Sequence, residues 1–171
     1  EEYIRIPAKS PAFDRQWEAT GHIADAVELV RSWCDAHATD GATVSVHELP
    51  GRTPVVVVDV HATHGVARTD TVLLYGHLDK QPEMSGWRDG LGPWDPVLEG
   101  DRLYGRGGAD DGYSAFAIMA AIDAVRSAGG AHQRCIGLIE ASEESGSPDL
   151  PAHLDALRDT LGDISLVVCL D

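Results

Sequence analysis

Basic residues are scarce in this chain of 171 residues, with 13 Lys+Arg against 28 Asp+Glu and a formal charge of −15. That balance excludes a phosphate-backbone partner as the default, because non-specific nucleic-acid binding relies on clustered Lys and Arg that release counterions. Long hydrophobic runs are missing too: stretches such as Val55 to Val60 and Leu166 to Leu170 fall well short of the roughly 20 residues of a membrane-spanning helix. Cysteines number three, Cys34, Cys135 and Cys169. An odd count without Cys-x-x-Cys spacing suits a reducing compartment better than a disulfide framework, so a cytoplasmic location is expected. The opening Glu1-Glu2-Tyr3-Ile4-Arg5 shows neither an initiator Met nor the basic-then-apolar pattern of a signal peptide, which predicts a processed start or a piece of a longer chain. No Gly-x-Ser-x-Gly elbow marks Ser142 or Ser145 as a nucleophile, and no Gly-Lys-Ser/Thr follows the glycine-rich Gly105-Arg106-Gly107-Gly108. What is present, 43% hydrophobic and 24% charged residues, fits a globular chain able to bury a core.

Ile23, Val27, Val30 and Cys34 recur at helical spacing and predict a helix over about 20–37, after a loop near Pro11. Thr43 to His47 alternates as a short strand, and Val55 to Val60 is a β-branched run of the kind buried on both faces of a sheet. A further strand is predicted at Thr71 to Tyr75, followed by a long irregular stretch from Gly76 to Ala109 of the sort that carries function. Phe116, Met119, Ile122 and Val125 mark a helix over 111–128, with Asp110 and Asp111 at its positive end. Cys135 to Ile139 reads as a strand, Leu150 to Leu161 as a helix and Ser165 to Leu170 as a final strand. This alternation predicts an α/β fold with a mostly parallel sheet flanked by helices.

Polar residues collect where those strands end. His77-Leu78-Asp79 follows the strand at 71–75, Glu143-Glu144 follows the strand at 135–139, and Asp171 follows the last one. Ligands of open α/β sheets bind outside the carboxyl ends of the strands, so these groups, with Asp110, can converge on one crevice. One imidazole with several carboxylates suits zinc, with manganese, cobalt or iron compatible on ligand type alone. If residues i and i+2 at a strand end point the same way, Asp79 can orient His77 from behind. Adjacent Glu143 and Glu144 diverge, which makes one of them a ligand and the other a base. Singly, each has an ordinary reading: helix-end charge for Asp110-Asp111, a solvated turn for Glu143-Glu144, a chain end for Asp171. Their joint position favours a site. His61-Ala62-Thr63-His64 reads instead as a solvent-facing turn, and the cysteines as small core residues.

Tyr75-Gly76-His77-Leu78-Asp79 with Gln81-Pro82, Gly86-Trp87, Pro93-Trp94-Asp95-Pro96, Leu103 through Gly112, Glu143-Glu144-Ser145-Gly146-Ser147 and Cys169-Leu170-Asp171 occur in an order that resembles the co-catalytic di-zinc metallopeptidases. These include carnosinase-like dipeptidases, glutamate carboxypeptidase, aminoacylase and the acetylornithine and succinyl-diaminopimelate deacylases. The carnosinase-like, nonspecific dipeptidase branch is the most similar. The resemblance implies a zinc-peptidase-like catalytic domain with two zinc ions. It implies His77 and Asp171 as ligands of one zinc, Asp110 as the bridge, Glu144 as a ligand of the other, Glu143 as general base and Asp79 as the orienter of His77, with a cis peptide after Asp110. The implied reaction is hydrolysis of a peptide or amide bond in a dipeptide or small amide substrate, Glu143 accepting a proton from a water shared by the metals.

Members of that family are much longer, with a lid or dimerisation domain and a returning chain that adds a further zinc-binding His. Residues 1–171 are therefore expected to form the N-terminal portion of the catalytic domain, incomplete at its C-terminal side and inactive alone, with the full-length protein a homodimer through the missing domain. None of His22, His37, His132 or His153 falls where the further His is needed, so the Glu144-side zinc is expected to lack it. The alternatives are an N-acyl amino acid deacylase of the same family and a non-catalytic metal-binding scaffold. A magnesium phosphohydrolase is disfavoured by His77 and by the missing phosphate loop.

Overall fold

Four consecutive valines at Val55 to Val58 cannot sit on a one-sided sheet without exposing two of them, and they lie inside a sheet covered on both faces. In a computed structural model describing residues 1–66 and 70–171, the chain begins with α1 (Glu2–Arg5), α2 (Trp17–Thr20) and α3 (His22–Ala36). Then come β1 (Ala42–His47), β2 (Val55–Val60), β3 (Thr71–His77) and the short strands β4 (Val97–Glu99) and β5 (Arg102–Tyr104). After α4 (Ser114–Ser127) and β6 (Arg134–Glu140), a 3-10 turn at Glu143–Ser145 leads to α5 (Leu150–Ala156), α6 (Arg158–Leu161) and β7 (Ile164–Cys169).

The main sheet has the order β1-β2-β6-β3-β7. It is α/β and flanked by helices, as expected, but mixed rather than mostly parallel. β3 runs parallel to β6 and β7, whereas β2 is antiparallel to both β1 and β6. Strand alternation divides the core. Val56, Val58 and Val60 face α3 and α4, joining Ile23, Val27, Val30, Ile118, Met119 and Ile122. Val55 and Val57 face the other way with Leu73, Ile136 and Leu138, under Leu157 and Leu161. Each fully buried aliphatic side chain contributes about 1.5–3 kcal/mol, so β6, with Ile136, Leu138 and Ile139 all fully buried, is a main axis of stability.

Several boundaries differ from expectation for identifiable reasons. The first long helix begins at His22 because Gly21 is left-handed (φ 75°) and closes the separate turn of α2. The helix expected over 150–161 divides at Leu157 into α5 and α6. The stretch from Gly76 to Ala109 contains the antiparallel β4–β5 hairpin, whose three-residue strands are too short to show alternation. The helix expected from 111 starts at Ser114, and its buried face is Ala115, Ile118, Met119 and Ile122, with Val125 exposed. Cys34 and Cys135 are buried as small core residues, but Cys169 is exposed, because β7 is an edge strand whose residues are mostly exposed.

Candidate metal centre

Because β3, β6 and β7 are mutually parallel, their carboxyl ends share one edge of the sheet, the edge at which α/β folds bind ligands. His77 is the last residue of β3 and pairs in register with Glu140, the last of β6. Glu143 and Glu144 lie in the 3-10 turn just beyond β6, and Asp171 lies two residues beyond β7. Leu170 is held there by its own N–H donating to Tyr75 O (3.0 Å) and by Tyr113 Oη donating to its carbonyl. Asp110 comes from the turn before α4, where the Asp110-Asp111 peptide is cis.

His77 is buried. Its Nδ1 lies 3.0 Å from the Asp79 carbonyl oxygen and 3.5 Å from Asp79 Oδ1. A carbonyl only accepts, so Nδ1 carries a proton and Nε2 is the nitrogen turned toward the carboxylates. Among the described residues Nε2 has no hydrogen-bond partner, and it lies 3.4 Å from Asp110 Oδ1 and 3.8 Å from Glu143 Oε2. The Asp79 carboxylate, fully buried, accepts the backbone N–H groups of Glu143 (3.1 Å) and Glu144 (3.0 Å). Asp79 thus faces the ring chiefly through its main chain, while its side chain fixes the turn that carries both glutamates.

Among the described residues two overlapping ligand sets result: His77, Glu143 and Asp171, and His77, Asp110 and Glu144, with the ligand atoms of each set within 4.8 Å of one another. Asp79 and the histidines His22, His37, His132 and His153 are in neither set. His153 instead accepts or donates at Nδ1 to His47 (2.8 Å) and faces Thr53 O (2.8 Å). His61 and His64 are exposed near a turn, as expected.

The electrostatics match this donor set to a cation. Burial, reinforced by neighbouring carboxylates, raises the pKa of Glu143 and of Glu144. Burial opposes charge on His77, but the hydrogen bond and charge of Asp79, together with Asp111 and Glu143, outweigh it and bring the pKa to about 9. Among the described residues no ion pair brings a Lys or Arg to Asp110, Glu143, Glu144 or Asp171. Among the described residues His77 Nε2 and Glu144 Oε1 are buried without a hydrogen-bond partner, amid carboxylates whose counter-charge is the His77 ring itself, and a metal that displaced the Nε2 proton would fit them. One imidazole with carboxylates suits zinc, manganese or cobalt.

Sequence reasoning missed several supporting side chains. Asp111 is fully buried and accepts the His77 N–H at Oδ2 (2.9 Å), an approach that Gly76 permits, since a Cβ there would run into Ser114 and Asp111. Gln81 donates to Glu144 Oε2. Glu140, also buried, accepts from Tyr75 (2.6 Å), Ser147 (2.8 Å) and Ser142 (3.1 Å), on both flanks of the 143–144 turn. The only sequence signal for these was their closeness to the strand ends.

The sequence profile of peptidase family M20/M25/M40 matches residues 73–168. No curated protein sequence gives a significant match. Among solved structures, human carnosine dipeptidase 1 is similar with a TM-score of 0.76 at 23% identity, over 98% of this chain and 36% of that one. The dipeptidase Dug1p from Saccharomyces cerevisiae gives 0.74 at 22%, over 98% and 36%. The metallo-carboxypeptidase Sso-CP2 from Sulfolobus solfataricus gives 0.75 at 24%, over 98% and 35%. These likenesses establish a shared fold, and the chain spans about a third of the length of each structure.

Proposed function

Because the chain belongs to peptidase family M20/M25/M40, we propose that it is the N-terminal portion of a catalytic domain that hydrolyses peptide bonds in dipeptides or small peptides, using two zinc ions and a glutamate base. The observation that carries this reading is the buried Nε2 of His77, without a hydrogen-bond partner among the described residues, facing Asp110 and Glu143 at a sheet edge to which no described ion pair brings a Lys or Arg. His77 and Asp171 would hold one zinc, Glu144 the other, and Asp110 both. Bound zinc supplies an acidified water and a Lewis acid for the scissile carbonyl. Glu143 would accept the proton of the attacking water and return it to the leaving amine. Asp79 fixes the Glu143–Glu144 turn and backs His77.

In this reading the catalytic domain continues beyond this chain into a further part of the sheet and a lid or dimerisation domain, and the exposed side of β7 supports the first of these. Ile164, Leu166 and Val167 are exposed, and a groove of about 330 Å³ beside them is lined by Leu73, Tyr75, Leu138, Leu150, Leu154 and Val167. A homodimeric, cytoplasmic enzyme is part of the same proposal.

The test is Glu143→Gln in the intact enzyme, assayed on dipeptides and on N-acyl amino acids with parallel metal analysis. Zinc content stays near wild type while turnover on dipeptides falls about 10²–10⁴-fold, the usual contribution of a general base. Near-normal kcat refutes the assignment, and turnover of N-acyl amino acids alone makes the enzyme a deacylase.

A further inference from the structure

Residues 1–14 supply none of the proposed ligands, yet they touch each of three segments that do. Toward 77–81, Tyr3 Oη donates to Leu78 O (2.7 Å), Lys80 N to Ala8 O (2.9 Å) and Ser10 N to Lys80 O (3.0 Å). Toward 105–112, which ends in Asp110 and Asp111, the Tyr3 ring lies so close to Gly112 that a Cβ there would collide with it. Toward the turn at 143–145, Ser10 Oγ meets Ser145 Oγ (2.5 Å), and Ala12 N donates to the same oxygen (2.8 Å).

Lys80 joins these contacts. It is fully buried, and its Nζ donates to Tyr3 O (2.7 Å), Ile6 O (2.7 Å) and Ile4 O (3.4 Å), 3.9 Å from the centroid of the Tyr3 ring. Three carbonyls and an aromatic face make a complete shell for an ammonium group. No carboxylate shares that shell among the described ion pairs, and although burial lowers its pKa to about 7, the amino group gathers the backbone of residues 3–6 through these donated hydrogen bonds. The side chain runs so close to Gly107 that a Cβ there would press on its Cε at 2.7 Å. The only other lysine in the sequence, Lys9, pairs with Glu83 (2.9 Å) across the same junction.

We propose that residues 1–14, pinned by Lys80, form a strap that fixes the spacing of the three ligand-bearing segments, which makes Lys80 a positioning residue for the metal centre. This rests on the metal-centre reading above. Coupling of this kind is reciprocal: the factor by which the docked strap tightens metal binding is the factor by which metal tightens strap docking.

Three measurements on the intact protein test it, each with Lys80→Met and the milder Tyr3→Phe beside wild type. They are Zn²⁺ affinity by competition with a chromophoric chelator, the absorption spectrum of the Co²⁺-substituted protein, and hydrogen exchange at the Ser10, Ala12 and Lys80 amides with and without Zn²⁺. Lys80→Met weakens Zn²⁺ binding about tenfold, within the usual range of coupling between sites, and shifts the Co²⁺ bands. Tyr3→Phe does the same about threefold, and Zn²⁺ slows exchange of the three wild-type amides by a comparable factor. If Lys80→Met does not fold, Tyr3→Phe and wild-type exchange decide. A lower melting temperature with unchanged Zn²⁺ affinity and an unchanged Co²⁺ spectrum makes the strap purely structural and overturns the proposal. Failure of wild type itself to bind Zn²⁺ overturns the metal-centre reading instead.

Discussion

Replacing Asp79 with asparagine asks how the turn bearing Glu143 and Glu144 is held. Each oxygen of the buried carboxylate accepts one backbone N–H, from Glu143 and from Glu144. Asparagine keeps the shape and one acceptor, but its NH₂ group then faces the other N–H, donor against donor. A hydrogen bond to a charged group contributes about 1.5–3 kcal/mol, so losing one costs about 2 kcal/mol. Removing a negative charge also relieves repulsion on Glu143 and Glu144. That relief is the smaller effect, since Asp79 is the last of the influences named on either pKa. With zinc bound, the cations already offset the repulsion, and the lost hydrogen bond stands without compensation.

The expected result is a Tm about 4–8 °C below wild type for a chain of this size when zinc is present, and a smaller drop in chelator. Asp79→Ala removes both acceptors and falls about twice as far. Differential scanning calorimetry of the three proteins, with and without zinc, measures both comparisons. A zinc-loaded Asp79→Asn within about 1 °C of wild type would refute the claim that this carboxylate holds the turn.

Gly112→Ala drives a Cβ into the Tyr3 ring and the Gly107 carbonyl, an overpacking that costs about 1–3 kcal/mol, read as a lower urea midpoint. An unchanged midpoint would show that the contact yields freely. Burial first, and the charges of His47 and Arg52 with it, lowers the pKa of His153, against the opposing pull of Thr53 and Asp149. The unfolded chain takes up this proton near pH 6.5, while the folded one binds it only at lower pH. His153 therefore contributes full stability above about pH 6.5, and that contribution declines as the pH falls through this value toward the folded pKa. His153→Gln flattens the fall of Tm between about pH 6.5 and 5, and parallel curves for the two proteins would contradict the assignment.

The parts of this molecule that were legible in the sequence are those written in apolar periodicity. Val55 to Val58 announced a strand buried on both faces, and Ile23, Val27, Val30 and Cys34 announced the buried stripe of α3. Residues that end such strands could be placed as well, because a parallel pair fixes where both carboxyl ends lie, and His77 and Asp171 needed nothing more. The antiparallel entry of β2 beside β6 was not legible, since strand order is decided by which faces meet and not by any one segment. The β4–β5 hairpin escaped because Leu98 and Leu103 are exposed and leave no alternation to read. Which atom of Asp79 faces His77 depended on a turn 64 and 65 residues further on.

The strap was invisible for a stronger reason. Its contacts join residues 75 apart at Tyr3 and Leu78, and 135 apart at Ser10 and Ser145, through single polar atoms that carry no period at all. A sheet edge gathers side chains from distant strands but leaves the intervening loops to find their own spacing. Carboxylates crowded on those loops repel one another until a cation arrives, so something other than the metal has to hold them apart and in register beforehand. In a chain with only two lysines, Lys9 and Lys80, both join residues 1–14 to the segment just beyond His77. The Lys80 amino group is set behind the ligand-bearing segments, where it binds backbone carbonyls, and Lys9 pairs with Glu83 beside it.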